Sequence, residues 1–260
     1  MDLKLTGKRA LITGGSKGIG LAMALSLAAE GAEVTIVART AEPLQEAAKL
    51  ILTRTGKKVL TIQADVSSEA DARRAVQQSV ERFGGIDVLI NNVGTSFAKP
   101  FEDIAADDWD ADLGLKLLGA VHFARAAVPH MKEAGGGAIV NVTAIKGKAP
   151  TASSLPTSVS RAAGLALTKA MSKDLAKYNI RVNAVCIGMI RSAQLEAKWQ
   201  RLAPHLTWEE FSADPAHDIP LGRIGDAHEA SNVITFLVSG AASYVTGTAV
   251  NIDGGSAAVL

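Results

Sequence analysis

What constrains this chain most is the regular alternation of short apolar runs with longer amphipathic stretches. Arg9–Thr13, Glu33–Ala38, Val59–Ala64, Val88–Asn91, Ala138–Val142, Arg181–Ile187 and Ala249–Ile252 read as strands. Gly18–Gly31, Ala41–Thr55, Glu69–Phe83, Asp107–Met131, Val159–Tyr178 and Asp226–Leu237 read as the helices between them. Strands separated by single helices and short connections pair in parallel through right-handed crossovers. The runs are almost unbroken Val, Ile, Leu and Ala, as expected where helices cover both sheet faces. The pattern predicts an α/β fold: one doubly wound domain over residues 1–260, with a parallel sheet of about seven strands.

Bulk properties narrow the function. Hydrophobic residues make up 48% of the 260 and charged residues 20%, enough for a large core. With 27 basic and 26 acidic side chains, the net charge of +1 offers no electrostatic case for nucleic acid or an anionic membrane. The N-terminal MDLKLTGKRALITGG lacks the layout of a secretion signal, and no apolar run approaches a bilayer span. The lone Cys186 fits a reducing compartment, so a cytoplasmic protein is expected. The five histidines are scattered without metal-ligand spacing, and no metal site is assigned. The irregular stretch Arg191–Pro220 carries Trp199, Trp208 and Phe211; it reads as a substrate lid, or as a surface excursion that its aromatics anchor.

The first strand runs into Thr13-Gly-Gly-Ser-Lys-Gly-Ile-Gly20, which opens the first helix. Gly14, Gly18 and Gly20 suit a tight turn and close backbone approach to a pyrophosphate; Ser16, Lys17 and Ile19 complete the loop. The helix N-terminus adds free N–H groups and a partial positive charge. Such a string is informative because it lies between a strand and a helix, the Rossmann context for dinucleotide binding. At the end of the second strand, an acidic residue would hold the ribose 2′-hydroxyl of NAD(H). Here the sequence is Ala38-Arg39-Thr40, and Arg39 with Lys17 suits a 2′-phosphate, so NADP(H) is expected over NAD(H).

The turn, Ala64-Asp65-Val66, Asn91-Asn-Val-Gly94, Gly137-Ala-Ile-Val-Asn-Val142, Ile180-Arg-Val-Asn-Ala184 and Ile252-Asp-Gly-Gly255 together resemble the short-chain dehydrogenase/reductase family in order and spacing, from about Leu5 to Gly255. The resemblance implies that Asp65 and Val66 lie by the adenine, and that Asn92, Val93 and Gly94 lie along the ribose side. It also implies that Gly188, Ile190 and Ser192 flank the nicotinamide, with Ile187 where the family usually has proline. It further implies a small-molecule substrate and a homodimer or homotetramer built through the two long helices.

The same resemblance implies a catalytic Asn, Ser, Tyr and Lys, and this chain has none of them in place. Lys116, Ala144, Thr157 and Arg161 stand there, and no tyrosine lies between Met1 and Lys177. An aliphatic hydroxyl is a poor proton donor, so Thr157 could hydrogen-bond a substrate oxygen, or is simply a residue that fits the turn. Arg161 keeps a positive charge for ribose hydroxyls or an anion, but cannot relay a proton. Lys116 is the new titratable group. Beside Arg161 in a partly dry cleft, its pKa should fall and it could serve as general acid; otherwise it is a structurally paired lysine. Thr143 and Ser158 are spare hydroxyls. Two cations together hint at an anionic group on the substrate.

Three functions follow. The first is an NADP(H)-dependent oxidoreductase of carbonyls or alcohols with a non-standard proton donor. The second is a nucleotide-binding protein without redox turnover, acting as a sensor or inactive subunit. Non-redox chemistry of the halohydrin dehalogenase kind ranks last: those enzymes keep serine and tyrosine and lack the glycine turn, the reverse of this chain.

Overall fold

A computed structural model describes residues 2–260. Seven strands form one parallel sheet: β1 (Arg9–Thr13), β2 (Glu33–Ala38), β3 (Leu60–Gln63), β4 (Val88–Asn91), β6 (Gly137–Ala144), β8 (Ile180–Ile187) and β9 (Ala249–Ile252). Their order is β3-β2-β1-β4-β6-β8-β9, so the order in which strands are added reverses between β1 and β4. Ligands of open parallel sheets bind outside the carboxyl ends of the strands at such a switch point.

The helices are α1 (Gly18–Ala29), α2 (Ala41–Thr55), α3 (Glu69–Phe83), α4 (Ala106–Leu113), α5 (Gly119–Glu133), α6 (Thr157–Leu175), α7 (Ala193–Leu202), α8 (Trp208–Ser212) and α9 (Ala227–Val238). On one face of the sheet, Met23 and Leu27 of α1, Leu44 and Ile51 of α2, and Ile234 of α9 pack on Ile12, Ile36 and Val140. On the other, Val76 of α3, Phe123 and Met131 of α5, and Met171 of α6 pack on Leu11, Leu89 and Val182. Apolar side chains on both faces explain why the strands lack polar alternation.

The expected elements are present, with three differences. The helix expected over Asp107–Met131 is interrupted at Gly114–Leu118 by one wide π-type turn between α4 and α5. Such turns occur often at functional sites. A two-stranded antiparallel ribbon, β5 (Ala98–Lys99) with β7 (Leu155–Pro156), has no periodicity long enough to be read from sequence. The Arg191–Pro220 stretch holds α7 and α8, whose Trp199, Trp208 and Phe211 cluster with Ile224. The two tryptophan rings meet edge-on at 5.8 Å, and Trp199 Nε1 donates to Leu206 O at 2.9 Å. Its aromatics therefore anchor this segment to itself, while Gln194 Oε1 accepts from Ser96 N at 3.4 Å and ties it to the loop after β4.

Candidate active site

The glycine turn is shaped by close approaches. Gly14 N and Gly15 N both donate to Val37 O, at 2.7 and 3.2 Å. Gly14 has φ +66°, and a Cβ on Gly20 would stand 2.0 Å from Gly14 O, so neither position tolerates a side chain. Asn92 Nδ2 brackets the turn by donating to Thr13 O and Gly14 O at 3.1 and 3.2 Å. Lys17 supplies no side-chain cap to α1, so its first N–H groups have no capping side chain as partner. Free amides, a Cβ-free cradle and a helix N-terminus fit a pyrophosphate.

Arg39 follows β2, is exposed like Lys17, and neither side chain forms an ion pair among the described residues. Arg39 shares an open groove with Gln63, Asp65 and Arg74. Ser67 donates to Asp65 Oδ1 through both its backbone N and its hydroxyl, which holds the Asp65 carboxyl below the usual carboxylate range. Val66 is buried, and Gly119 passes so near that a Cβ there would meet Val66 Cγ2 at 3.1 Å. Gly188 N donates to Ile252 O at 2.9 Å, buried Ile190 bridges to Gly225, and Ser192 caps α7 by accepting from Leu195 N.

At the carboxyl ends of β4 and β6, the π-type turn and the start of α6 bring Lys116 and Arg161 to one narrow cavity, while Thr157 meets Lys116 outside its lining. Its lining includes Asn91, Lys116, Ser160 and Arg161. Lys116 is buried, and its ammonium pairs with Asp112 one turn earlier. Lys116 Nζ also donates to Thr157 Oγ1 at 2.8 Å. Asp112 Oδ2 in turn accepts from Ser160 Oγ at 2.6 Å. Burial pushes the Lys116 ammonium below the usual lysine range and Arg161 pushes the same way, while Asp112 opposes both.

Thr157 Oγ1 also accepts from Phe97 N at 3.1 Å and donates to Phe97 O at 2.6 Å. With Lys116, that fills its one donor and two acceptor positions. Its hydroxyl, expected either to meet a substrate oxygen or simply to fit the turn, here joins the chain before β5 to Lys116. Thr143 is likewise not spare, because its hydroxyl donates to Val185 O at 3.0 Å across the sheet. Ala144 brings no polar group to the end of β6, and Ser158 is buried.

Arg161 Nη1 donates to Val142 O at 2.8 Å, while Nε is buried without a partner. Burial lowers the guanidinium pKa from its usual value. The hint of an anionic substrate rested on two free cations. Asp112, not singled out in the sequence, neutralises one of them; its i,i+4 spacing to Lys116 was the available signal. Among the described residues, no helix is long and apolar enough to cross a membrane, and no cluster of His, Cys, Asp and Glu is placed to hold a metal.

Residues 14–257 match the family model described as Enoyl-(Acyl carrier protein) reductase. An uncharacterized oxidoreductase of Mycobacterium bovis is 36% identical over 252 residues, which is 96% of this chain and 97% of the relative. The L-sorbose reductase of Gluconobacter frateurii, solved with NADPH and L-sorbose, superimposes with a TM-score of 0.95 at 33% identity, covering 100% of both chains. A short chain oxidoreductase of Pseudomonas aeruginosa, described as containing an atypical catalytic center, gives a TM-score of 0.95 at 30% identity, covering 99% of this chain and 100% of that one. With a matched family model over nearly its whole length and this sheet order, the chain belongs to the short-chain dehydrogenase/reductase family of NAD(P)-dependent oxidoreductases.

Proposed function

We propose that the protein interconverts a carbonyl compound and its alcohol with NADP(H), using Lys116 in place of a tyrosine as the proton donor. The observation that carries this reading is the buried Lys116 ammonium, fixed by Asp112 and Thr157 at the carboxyl end of the sheet. An ammonium has three N–H bonds, and these partners take two, so one remains for a substrate oxygen. A lysine whose pKa burial has lowered is a better acid at neutral pH than an exposed one.

The free amides of α1 and the turn Gly14, Ser16, Lys17, Gly18, Ile19 and Gly20 would hold the pyrophosphate. Arg39 and Lys17 would hold the 2′-phosphate that favours NADP(H) over NAD(H), consistent with two NADPH-bound structural relatives. Asp65 and Val66 would lie at the adenine; Asn92, Gly94 and Arg161 at the nicotinamide ribose; Gly188, Ile190 and Ser192 beside the ring. The unpartnered Arg161 Nε is a donor suited to that ribose. When bound, the cofactor supplies or accepts the hydride; the chain's own residues orient the carbonyl and move the proton at Lys116 Nζ.

The α7–α8 segment over residues 191–220 would cover the substrate, held near the site by Gln194. Residues 1–260 would act as one dinucleotide-binding domain, as a cytoplasmic homodimer or homotetramer, to which exposed Leu118 and Val159 on the long helices lend apolar surface.

A second reading, a cofactor-binding protein without turnover, is favoured by one observation: the Thr157 hydroxyl has no capacity left for substrate. Titration with NADPH followed by a panel of ketones and aldehydes separates the two. Binding with consumption of NADPH that Lys116→Ala abolishes supports the oxidoreductase; binding alone supports the second reading; an unaffected rate in Lys116→Ala removes Lys116 as the donor.

A further inference from the structure

Lys116 is a cation in a poor place for one. Its side chain is 1% exposed, and Arg161 of α6 brings a second positive charge to the same cavity. A buried amine with only a like charge beside it gives up its proton, because the interior cannot replace water around the ammonium. The uncharged groups that share its cavity, Asn91 on β4 and Asn141 and Thr143 on β6, cannot compensate a charge. Cys186, behind Arg161 on β8, is kept a thiol because burial raises its pKa. Among the described residues, one anionic group on α4, α6 and the strands beneath them pairs with this lysine: Asp112.

Asp112 is itself locked. One carboxylate oxygen meets Lys116, and the other accepts from Ser160 Oγ at 2.6 Å. Ser160 Oγ also lies 3.0 Å from Thr157 O, and Thr157 Oγ1 accepts from Lys116 Nζ at 2.8 Å. The four residues thus close a ring across α4 and the first turn of α6, with no exposed member. A carboxylate fixed on both oxygens cannot turn away when the substrate enters.

We propose that Asp112 is the positioning residue of this site, keeping Lys116 a protonated ammonium within the buried ring that Ser160 and Thr157 complete. This rests on the reading of Lys116 as proton donor, but it makes a separate statement about what controls that donor. Reduction needs the ammonium, so kcat/KM falls as pH rises through the pKa of Lys116. Removing the carboxylate charge moves that fall to lower pH.

The test uses the full chain saturated with NADPH. In Asp112→Asn, the high-pH limb of kcat/KM for carbonyl reduction should move down by about one pH unit or more, the displacement ordinary for an opposite charge at this range. The Lys116 13Cε NMR signal, assigned through Lys116→Arg, should titrate with the same displacement. A limb and a signal that stay in place while only melting temperature or kcat drops would make Asp112 merely structural and overturn the proposal. If Asp112→Asn does not fold, the wild-type signal decides: an ammonium at pH 7 supports the proposal, and a neutral amine there sinks it. Turnover that survives Lys116→Ala would remove the reductase role of Lys116, while the NMR displacement would still judge Asp112.

Discussion

Gly94 and Arg161 share one space: a Cβ added to Gly94 would stand 2.2 Å from Arg161 Nη2. The backbone after β4 and the Arg161 guanidinium are therefore matched to each other. Gly94→Ala must displace a side chain already held by Val142 O. It should lower stability by roughly 1–3 kcal/mol, as overpacking does, and weaken NADPH binding in a calorimeter. Truncating Arg161 as well should restore part of the stability but not the binding; full recovery of binding would show that Arg161 does not touch the cofactor.

The Asp112–Lys116 pair should be expensive to break from one side. Lys116→Met leaves a buried carboxylate with Ser160 alone, and should cost roughly 3–5 kcal/mol by denaturant unfolding. Combining it with Asp112→Leu should recover most of that loss, since an apolar pair of similar volume is often neutral. Additive losses would mean that the two residues do not act as a unit.

Arg39 should discriminate between cofactors. A charge-assisted hydrogen bond contributes roughly 1.5–3 kcal/mol, so Arg39→Ala should weaken NADPH binding roughly tenfold to a hundredfold. NADH affinity should stay nearly constant, because Arg39 is exposed and makes no ion pair for the fold. Equal losses for both nucleotides in parallel titrations would exclude a 2′-phosphate contact.

Glu229 offers a pH test of stability. Arg223 binds its carboxylate at 2.6 and 2.8 Å and Asp226 N donates to it at 2.8 Å, which lowers its pKa to about 2. A carboxyl with a depressed folded pKa stabilises the fold fully above its unfolded value of about 4.3, and loses that contribution as pH falls toward 2. Wild type should therefore melt higher than Glu229→Gln at pH 7, and the gap should close by pH 2. A gap independent of pH in thermal scans would assign the effect to packing alone.

Much of the fold was legible because periodicity and turn chemistry are local. The ranges of β1, β2, β4, β9, α2 and α3 follow from apolar runs and flanking glycines. The β5–β7 ribbon was not legible, since its four residues pair across more than fifty positions of chain. Neither was the π-type turn after α4: Gly114 and Gly119 bracket it, but glycine within a helical stretch does not by itself mark a widened turn. The partners of Thr157 were not legible because a sequence shows which hydroxyls exist, not where their hydrogen bonds go; Phe97 lies 60 positions away.

The sequence alone determined the parallel sheet, the Cβ-free phosphate turn and the lack of any tyrosine before Tyr178, since each depends on residue type and near neighbours. Only the tertiary structure decided that Lys116 is paired, that Thr157 is spent on Phe97 and that Gly94 makes room for Arg161. Those outcomes depend on which polar groups are carried out of water together, and burial turns an ordinary surface charge into one that must find its partner.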